Sequence, residues 1–220
     1  MKYKLYGHPV SPFSCLAFIS LLYKEVEHEF IYVDLGSGEQ KKTEYLQLHP
    51  FGQVPLLMRD DGLCIYESWA IFEHLEEQFT KHPMLSQKEP QRSKARSIAL
   101  CIITSIIPAA RELFLNGLGR LALTDEQKGK ANANLKDKLT ILAKEIESQD
   151  QQPDLTPYDA LFYQAWLNIN IGCPGLSSAF PGLEKYWQSL ASKPAFQKLE
   201  SEPAVKKVRE SFESMLVNQK

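Results

Sequence analysis

The chain has 220 residues, with 25 basic and 27 acidic side chains and a formal net charge of −2. That length suits one large or two small domains, each able to bury its own core. The near balance of charge, with signs alternating and no long block of either, excludes an electrostatic nucleic-acid binder.

The first eighty residues alternate strand and helix. Residues 2–6 (KYKLY) read as a short strand, and 13–24 as a helix apolar on almost every side. Residues 27–33 (EHEFIYV) carry the β-branched and aromatic enrichment of a second strand. A short helix over 41–48 is broken by His49, Pro50, Phe51 and Gly52. Residues 54–58 and 63–66 flank RDDG, whose Asp-Gly pair signals a hairpin. Residues 67–79 form an amphipathic helix with Ala70, Ile71, His74 and Leu75 on one face. The order β-α-β-α-β-β-α is that of a thioredoxin-like domain, because a βαβ unit followed by a hairpin does not close a doubly wound sheet. There is no GxGxxG or P-loop run, so no nucleotide is expected.

Residues 81–90 (KHPMLSQKEP) read as a polar linker, after which strand signals vanish. Helices are expected over 92–117, 125–148, 157–171, 182–192, 195–199 and 205–217, an all-helical bundle. Pro108 predicts a kink in the first of them. Thr156, Pro157 and Asp159 match an N-cap, a first-turn proline and a third-position acceptor with reciprocal hydrogen bonds. The expected domains are 1–80, a linker over 81–90, and 91–220.

The apolar run 16–23 follows two lysines and loosely suggests a secretory leader, but Gly7, Pro9 and Pro12 intervene and KEVEHEF replaces a small-residue cleavage site. The apolar stretch 98–110 is expected to be too short and interrupted for a membrane span. Cys15, Cys64, Cys101 and Cys173 are dispersed, without a CxxC pair or a Cys/His cluster, so neither a metal site nor a disulfide framework is expected. Cys64 and Cys101 lie in apolar runs and are expected to be buried thiols. Reduced cysteines fit a cytoplasmic address.

Three segments carry the chemistry: Ser11 in YGHPVSPFS, Pro55 in HPFGQVPLL, and Glu67–Ser68 in YESWAI. Singly, Pro55 is a strand-start proline, Glu67–Ser68 a helix cap, and Lys41 in GEQKK a solvated charge. In this order and spacing they resemble the glutathione transferases, most closely the serine-type phi class. The resemblance is dense over 5–80 and scattered beyond, where Thr156–Asp159 and FPGLEKYWQSLASKPAFQKL are similar to that family's capped core helix and terminal pattern. It implies glutathione as co-substrate and a cis Val54–Pro55 bond that lets the Val54 backbone pair with the cysteinyl unit, as in strand addition. Glu67 and Ser68 then hold the γ-glutamyl end, where free amides and a helix dipole favour a carboxylate. Gln40 and Lys41 fall where the glycyl carboxylate binds, and Gln53 adds a contact.

The same resemblance assigns Ser11 as the donor that stabilises the glutathione thiolate. Three neighbours compete with it. His8 offers a Ser–His dyad but has no orienting acid in sequence. Ser14 is a second hydroxyl donor. Cys15 lies one turn beyond the sulfur position of cysteine-type relatives, whose Cys-Pro-Phe is here Ser11-Pro12-Phe13. Leu16, Ala17 and Trp69 stand where the family usually has arginine. Pro12, Phe13, Ile106, Ala110, Phe114 and Tyr163 are candidates for an electrophile pocket, although core packing explains each equally well. The implied protein is a homodimeric transferase that conjugates glutathione to small hydrophobic electrophiles, with no metal, nucleic acid or membrane partner. Alternatives are a glutathione-dependent peroxidase or isomerase, or a non-catalytic transferase-like module such as the docking domain of the translation elongation factor gamma subunit.

Overall fold

The computed structural model describes residues 2–150 and 152–217, with side chains as far as 212. Residues 1, 151 and 218–220 of the expected domains lie outside the described residues. The first strand, β1 (Tyr3–Gly7), buries Tyr3, Leu5 and Gly7 and turns Lys4 and Tyr6 outward, the alternation that a pleated strand imposes. It pairs parallel with β2 (His28–Tyr32) and antiparallel with β3 (Leu56–Arg59), which pairs antiparallel with β4 (Cys64–Tyr66). The sheet order is therefore β2-β1-β3-β4, with Leu5 opposite both Phe30 and Leu57. Helix α1 (Pro12–Tyr23) crosses between β1 and β2, and α2 (Thr43–Leu46) follows a single turn of 3₁₀ helix at Glu39–Lys41. Helix α3 (Ser68–Gln78) completes the thioredoxin-like order.

Helix α1 buries nine of its twelve residues, so it has no solvent face, as its uninterrupted apolar sequence requires. It is wedged between the first domain and helices α7 (Pro157–Gly172) and α9 (Pro194–Ser201), which makes the two domains share one core. The buried face of α3 is Ser68, Ile71, Phe72 and Leu75. Ala70 is exposed and His74 half-buried, so the expected apolar face keeps Ile71 and Leu75 but is rotated by about a quarter of a turn toward Ser68 and Phe72.

Residues 81–90 are not simply polar: Met84 and Leu85 are buried. The Glu76 carboxylate accepts both of their amides at 3.1 Å and pairs with the buried Lys24 ammonium at 2.7 Å, which fastens this segment to the end of α1. Beyond it, α4 (Gln91–Cys101) runs through a wide π turn at Ile102–Ile106 into α5 (Ile107–Gly117). The expected distortion at Pro108 sits one turn earlier, where the Ile107 amide reaches back five residues to the Ile102 carbonyl. Widening that turn removes the clash between the proline ring and the carbonyl four residues before it. The whole helix Gln91–Gly117 is long and apolar enough to cross a membrane by length and composition, contrary to the expectation for 98–110. Here Ile98, Ile102, Ala110 and Leu113 are buried in the shared core.

Helix α6 (Asp125–Glu147) precedes α7, and α8 (Pro181–Ala191), α9 and α10 (Pro203–Val217) close the bundle. The cap expected at α7 is present: the Thr156 amide donates to the Asp159 carboxylate at 2.7 Å and the Asp159 amide to the Thr156 hydroxyl at 3.3 Å. At the far end of α7, a Cβ on Gly172 would meet the Phe114 amide nitrogen at 2.6 Å. Only glycine permits this approach, which brings the end of α5 against α7 and forms one wall of the cleft described below.

Candidate functional site

Two adjoining cavities lie between the domains. The smaller, about 460 Å³, is lined by Ser11, Gln40, Lys41, Gln53, Val54, Pro55, Glu67 and Ser68, all eight residues singled out in sequence for one ligand. The larger, about 820 Å³, opens from it toward the helical domain. Ser11, Phe13, Leu35 and Arg111 line both, so Ser11 stands at their junction.

Ser11 is the N-cap of α1, in an extended conformation, with Pro12 as the first helical residue. Its hydroxyl oxygen accepts the Ser14 amide at 3.2 Å, and its own amide donates to the His8 carbonyl at 2.9 Å. With its oxygen accepting the Ser14 amide, the Ser11 hydroxyl retains a proton to donate, and the residue lines both cavities. Residues competing for the role are placed elsewhere. Ser14 lines neither cavity, and its hydroxyl accepts the His8 amide at 3.2 Å. The His8 ring accepts the Val10 amide at 3.2 Å, and burial lowers its pKa to about 4, so it is neutral at pH 7 and forms no bond to Ser11. Cys15 is buried inside α1, and burial pushes its thiol far above the usual range. Of the thiols expected to be buried, Cys64 is half-buried and Cys101 exposed, because Cys101 lies on the outer side of α4.

The walls of the smaller cavity come from four loops. Val54–Pro55 is cis, as the resemblance implied, and so is Glu89–Pro90, which sequence did not suggest. Gly52 has φ +57°, and a Cβ there would meet the Gln40 carbonyl oxygen at 2.6 Å, so the turn before Val54 requires glycine. The Tyr45 hydroxyl donates to the Gln53 carbonyl at 2.7 Å, and the Lys41 ammonium to the Phe51 carbonyl at 3.0 Å, which fixes this loop against the turn carrying Gln40. Glu67 has φ 70°, a left-handed conformation that costs a non-glycine residue about 1–3 kcal/mol. This sharp turn starts α3 directly after β4 and places Glu67 and Ser68 in the cavity wall. Ser68, the first residue of α3, is buried.

Two buried polar atoms in this wall have no partner among the described residues: Gln40 Oε1 and His49 Nδ1. A buried polar atom left unpaired costs about 1–3 kcal/mol, so the cavity suits a polar, peptide-like ligand that meets such atoms. His49 was treated in sequence only as part of a helix break, yet it is fully buried and lines the cavity. Arg111 was also missed, since nothing local in α5 points to a site on the other domain.

In the larger cavity, Pro12, Phe13, Ala110 and Phe114 line the wall as expected, whereas Ile106 and Tyr163 do not. The π turn shifts the facing position by one residue, so Ile107 lines the cavity and Ile106 points into the core. Tyr163 is buried, its ring centroid 5.5 Å from that of Trp187 and 4.4 Å from that of Phe196, and its hydroxyl donates to Glu200. Ala165 and Asn168 supply the α7 wall in its place. Asn168 also ends a hydrogen-bonded chain. Arg209 on α10 donates to Glu200 and to the Gln164 side-chain oxygen at 2.7 Å. The Gln164 amide donates to Asn168 at 2.8 Å, and Asn168 to the Val10 carbonyl at 2.9 Å, immediately before Ser11.

The family profile "Glutathione S-transferase, N-terminal domain" matches residues 1–77, which contain all four strands of the sheet and every lining residue of the smaller cavity except Arg111. Residues 1–77 are thus similar to the N-terminal domain of glutathione S-transferases. Over 79 residues the chain is 46% identical to glutathione S-transferase hmp2 of Hypomyces subiculosus, an alignment covering 36% of each protein. Over 143 residues it is 32% identical to glutathione S-transferase 1 of Dianthus caryophyllus, covering 65% of this chain and 64% of that one. The alignments thus span between about a third and two thirds of the length of these curated relatives. Both domains superpose on the crystal structure of glutathione transferase URE2P6 from Phanerochaete chrysosporium in complex with oxidized glutathione, with a TM-score of 0.79, 20% identity, and coverage of 90% of this chain and 94% of that one. The thioredoxin-like domain is therefore followed here by a helical domain, and the two together match the fold of that structure. Among the described residues no group of His, Cys, Asp or Glu is placed to hold a metal ion.

Proposed function

We propose that this protein is a serine-type, phi-like glutathione transferase that holds glutathione in the smaller cavity and conjugates it to a small hydrophobic electrophile in the larger one. The observation that carries this reading is Ser11, a capped hydroxyl at the start of α1 that borders both cavities. Glutathione lies with its cysteinyl backbone along Val54. Its ammonium faces Glu67, its γ-glutamyl carboxylate meets the first turn of α3 at Ser68, and its glycyl carboxylate meets Gln40 and Lys41, with Gln53 alongside.

The thiol then sits at Ser11. A free thiol has a pKa of about 8.5, and lowering it by about two units takes roughly 2.7 kcal/mol of preferential stabilisation of the anion. One short charge-assisted hydrogen bond from the Ser11 hydroxyl, together with the amide end of α1, is of that size. The thiolate attacks the electrophilic carbon, the new C–S bond forms, and the leaving group departs with its bonding electrons; the serine keeps its proton. Buried Cys15 is not accessible for an alternative covalent route.

The working form is a cytoplasmic homodimer. Phe51 supports the dimer: it is 64% exposed in the loop before Val54, its ring set edge-on to those of His49 and Tyr66. The test is retention on immobilised glutathione together with turnover of an aryl halide. Retention without turnover of any electrophile or peroxide would instead identify a non-catalytic module.

A further inference from the structure

The larger cavity has a charge opposite to that of the chain. The protein carries a net charge of −2, yet three cationic side chains line this cavity: Arg111 from α5, Arg120 from the loop after it, and Lys207 from α10. None of the three forms an ion pair among the described residues. The one carboxylate in the wall, Asp34, accepts the Gly36 and Ser37 amides at 2.8 and 3.3 Å and reaches none of the three cations at ion-pair distance. His8 is held neutral by burial and adds no charge. Arg111 borders both cavities and can also face glutathione, but Arg120 and Lys207 line only the larger one. Cations gathered from separate elements into a cleft with apolar walls focus a positive potential there, which glutathione's own carboxylates, placed in the other cavity, do not use.

We propose that the second substrate of this protein is an anionic electrophile: an aromatic or aliphatic body seated against Phe13, Ala110 and Phe114, carrying a carboxylate or comparable acidic group met by Arg120 and Lys207. This rests on the transferase reading above and narrows its substrate class. The reaction is the same displacement. The glutathione sulfur forms the C–S bond, the carbon–halogen bond of the probe breaks, and halide leaves with the electron pair while the carboxylate is untouched.

The experiment compares chlorodinitrobenzene with its carboxylate-bearing analogue chlorodinitrobenzoate, each kcat/KM divided by that probe's uncatalysed rate with glutathione. The full-length protein and its R120Q/K207Q variant are used, with folding checked by circular dichroism and by glutathione retention. The intact protein is expected to favour the benzoate, and the variant to lose about tenfold more kcat/KM for the benzoate than for the neutral probe. Raising the ionic strength should shrink the preference, since exposed charges are screened within about 10 Å at 0.1 M salt. R120E/K207E should reverse the preference. If the intact protein turns over both probes but neither variant nor salt moves their ratio, the anionic-substrate proposal is overturned and the transferase reading stands. If the folded protein turns over other electrophiles but never the benzoate, this proposal alone is overturned; if it binds glutathione and turns over no electrophile or peroxide at all, the transferase reading fails and this proposal with it.

Discussion

Asn168→Asp separates the role of the polar chain behind Ser11 from that of ordinary packing. In the structure the Asn168 side chain is buried, its amide nitrogen donating to the Val10 carbonyl at 2.9 Å and its oxygen accepting from Gln164 at 2.8 Å. The aspartate keeps the shape and the Gln164 bond, but it removes the one donor to Val10 and places an acceptor against that carbonyl. A buried carbonyl left unpaired costs about 1–3 kcal/mol. With about 2 kcal/mol lost, a chain of this size should melt roughly 4–8 °C lower. Because Val10 directly precedes Ser11, the hydroxyl should also drift from the sulfur. Losing half of the proposed thiolate stabilisation would raise the bound thiol's pKa by about one unit, or about 1.4 kcal/mol. The assays are thermal unfolding by circular dichroism and titration of the thiolate absorbance of bound glutathione. A lower melting temperature with an unmoved titration would reduce Asn168 to a packing role. An unchanged melting temperature would refute the hydrogen-bond argument altogether.

Three further outcomes follow from the same geometry. Glu67→Ala should raise the Michaelis constant for glutathione tenfold or more, since a charged hydrogen bond left unmade costs about 1.5–3 kcal/mol; an unchanged constant in a folded variant rules out its contact with the γ-glutamyl end. Phe51→Ala should weaken the dimer in sedimentation velocity while hardly changing monomer stability, because the side chain is 64% exposed; a dimer of unchanged affinity removes Phe51 as an anchor. Acid should destabilise the fold through His8, whose pKa falls from its ordinary 6.5 to about 4 on burial. Above pH 6.5 the ring is neutral in both states and nothing is lost, whereas between 6.5 and 4 the unfolded chain takes up a proton that the folded chain refuses. Urea denaturation at pH 7 and pH 5 should differ by about 2 kcal/mol from this group, a difference that His8→Asn abolishes.

Much of the smaller cavity was legible because its residues sit in local signals. Ser11 precedes a proline at a helix start, Gly52 and Pro55 mark a turn, and Glu67–Ser68 lies at a strand-to-helix junction. Thr156 and Asp159 likewise declare the start of α7 within four residues. The larger cavity was read less well because its facing positions depend on helix phase. The π turn before Pro108 exchanged Ile106 for Ile107, a change of register that no apolar pattern reveals. Helix α7 is apolar on nearly all sides, so its sequence gave no reason to prefer Asn168 over Tyr163 as the wall residue. His49 reads in sequence as part of a helix break, and Arg111, Arg120 and Lys207 converge only through tertiary packing of α5, the loop after it and α10 around the first domain.

The central claim is that the Ser11 hydroxyl holds glutathione as a thiolate, and the ultraviolet absorbance of the bound thiolate against pH tests it most directly. For the unaltered protein the bound thiol should titrate about two units below the free value of about 8.5. With Ser11→Ala, glutathione should still bind, the titration should return toward the free value, and conjugation should fall about 10²-fold. Ser11→Thr, which keeps a hydroxyl and a capping oxygen, should restore much of both, and Cys15→Ser should alter neither. A Ser11→Ala protein that binds glutathione with an unshifted titration and full turnover, or a Cys15→Ser protein that loses turnover, would contradict the account.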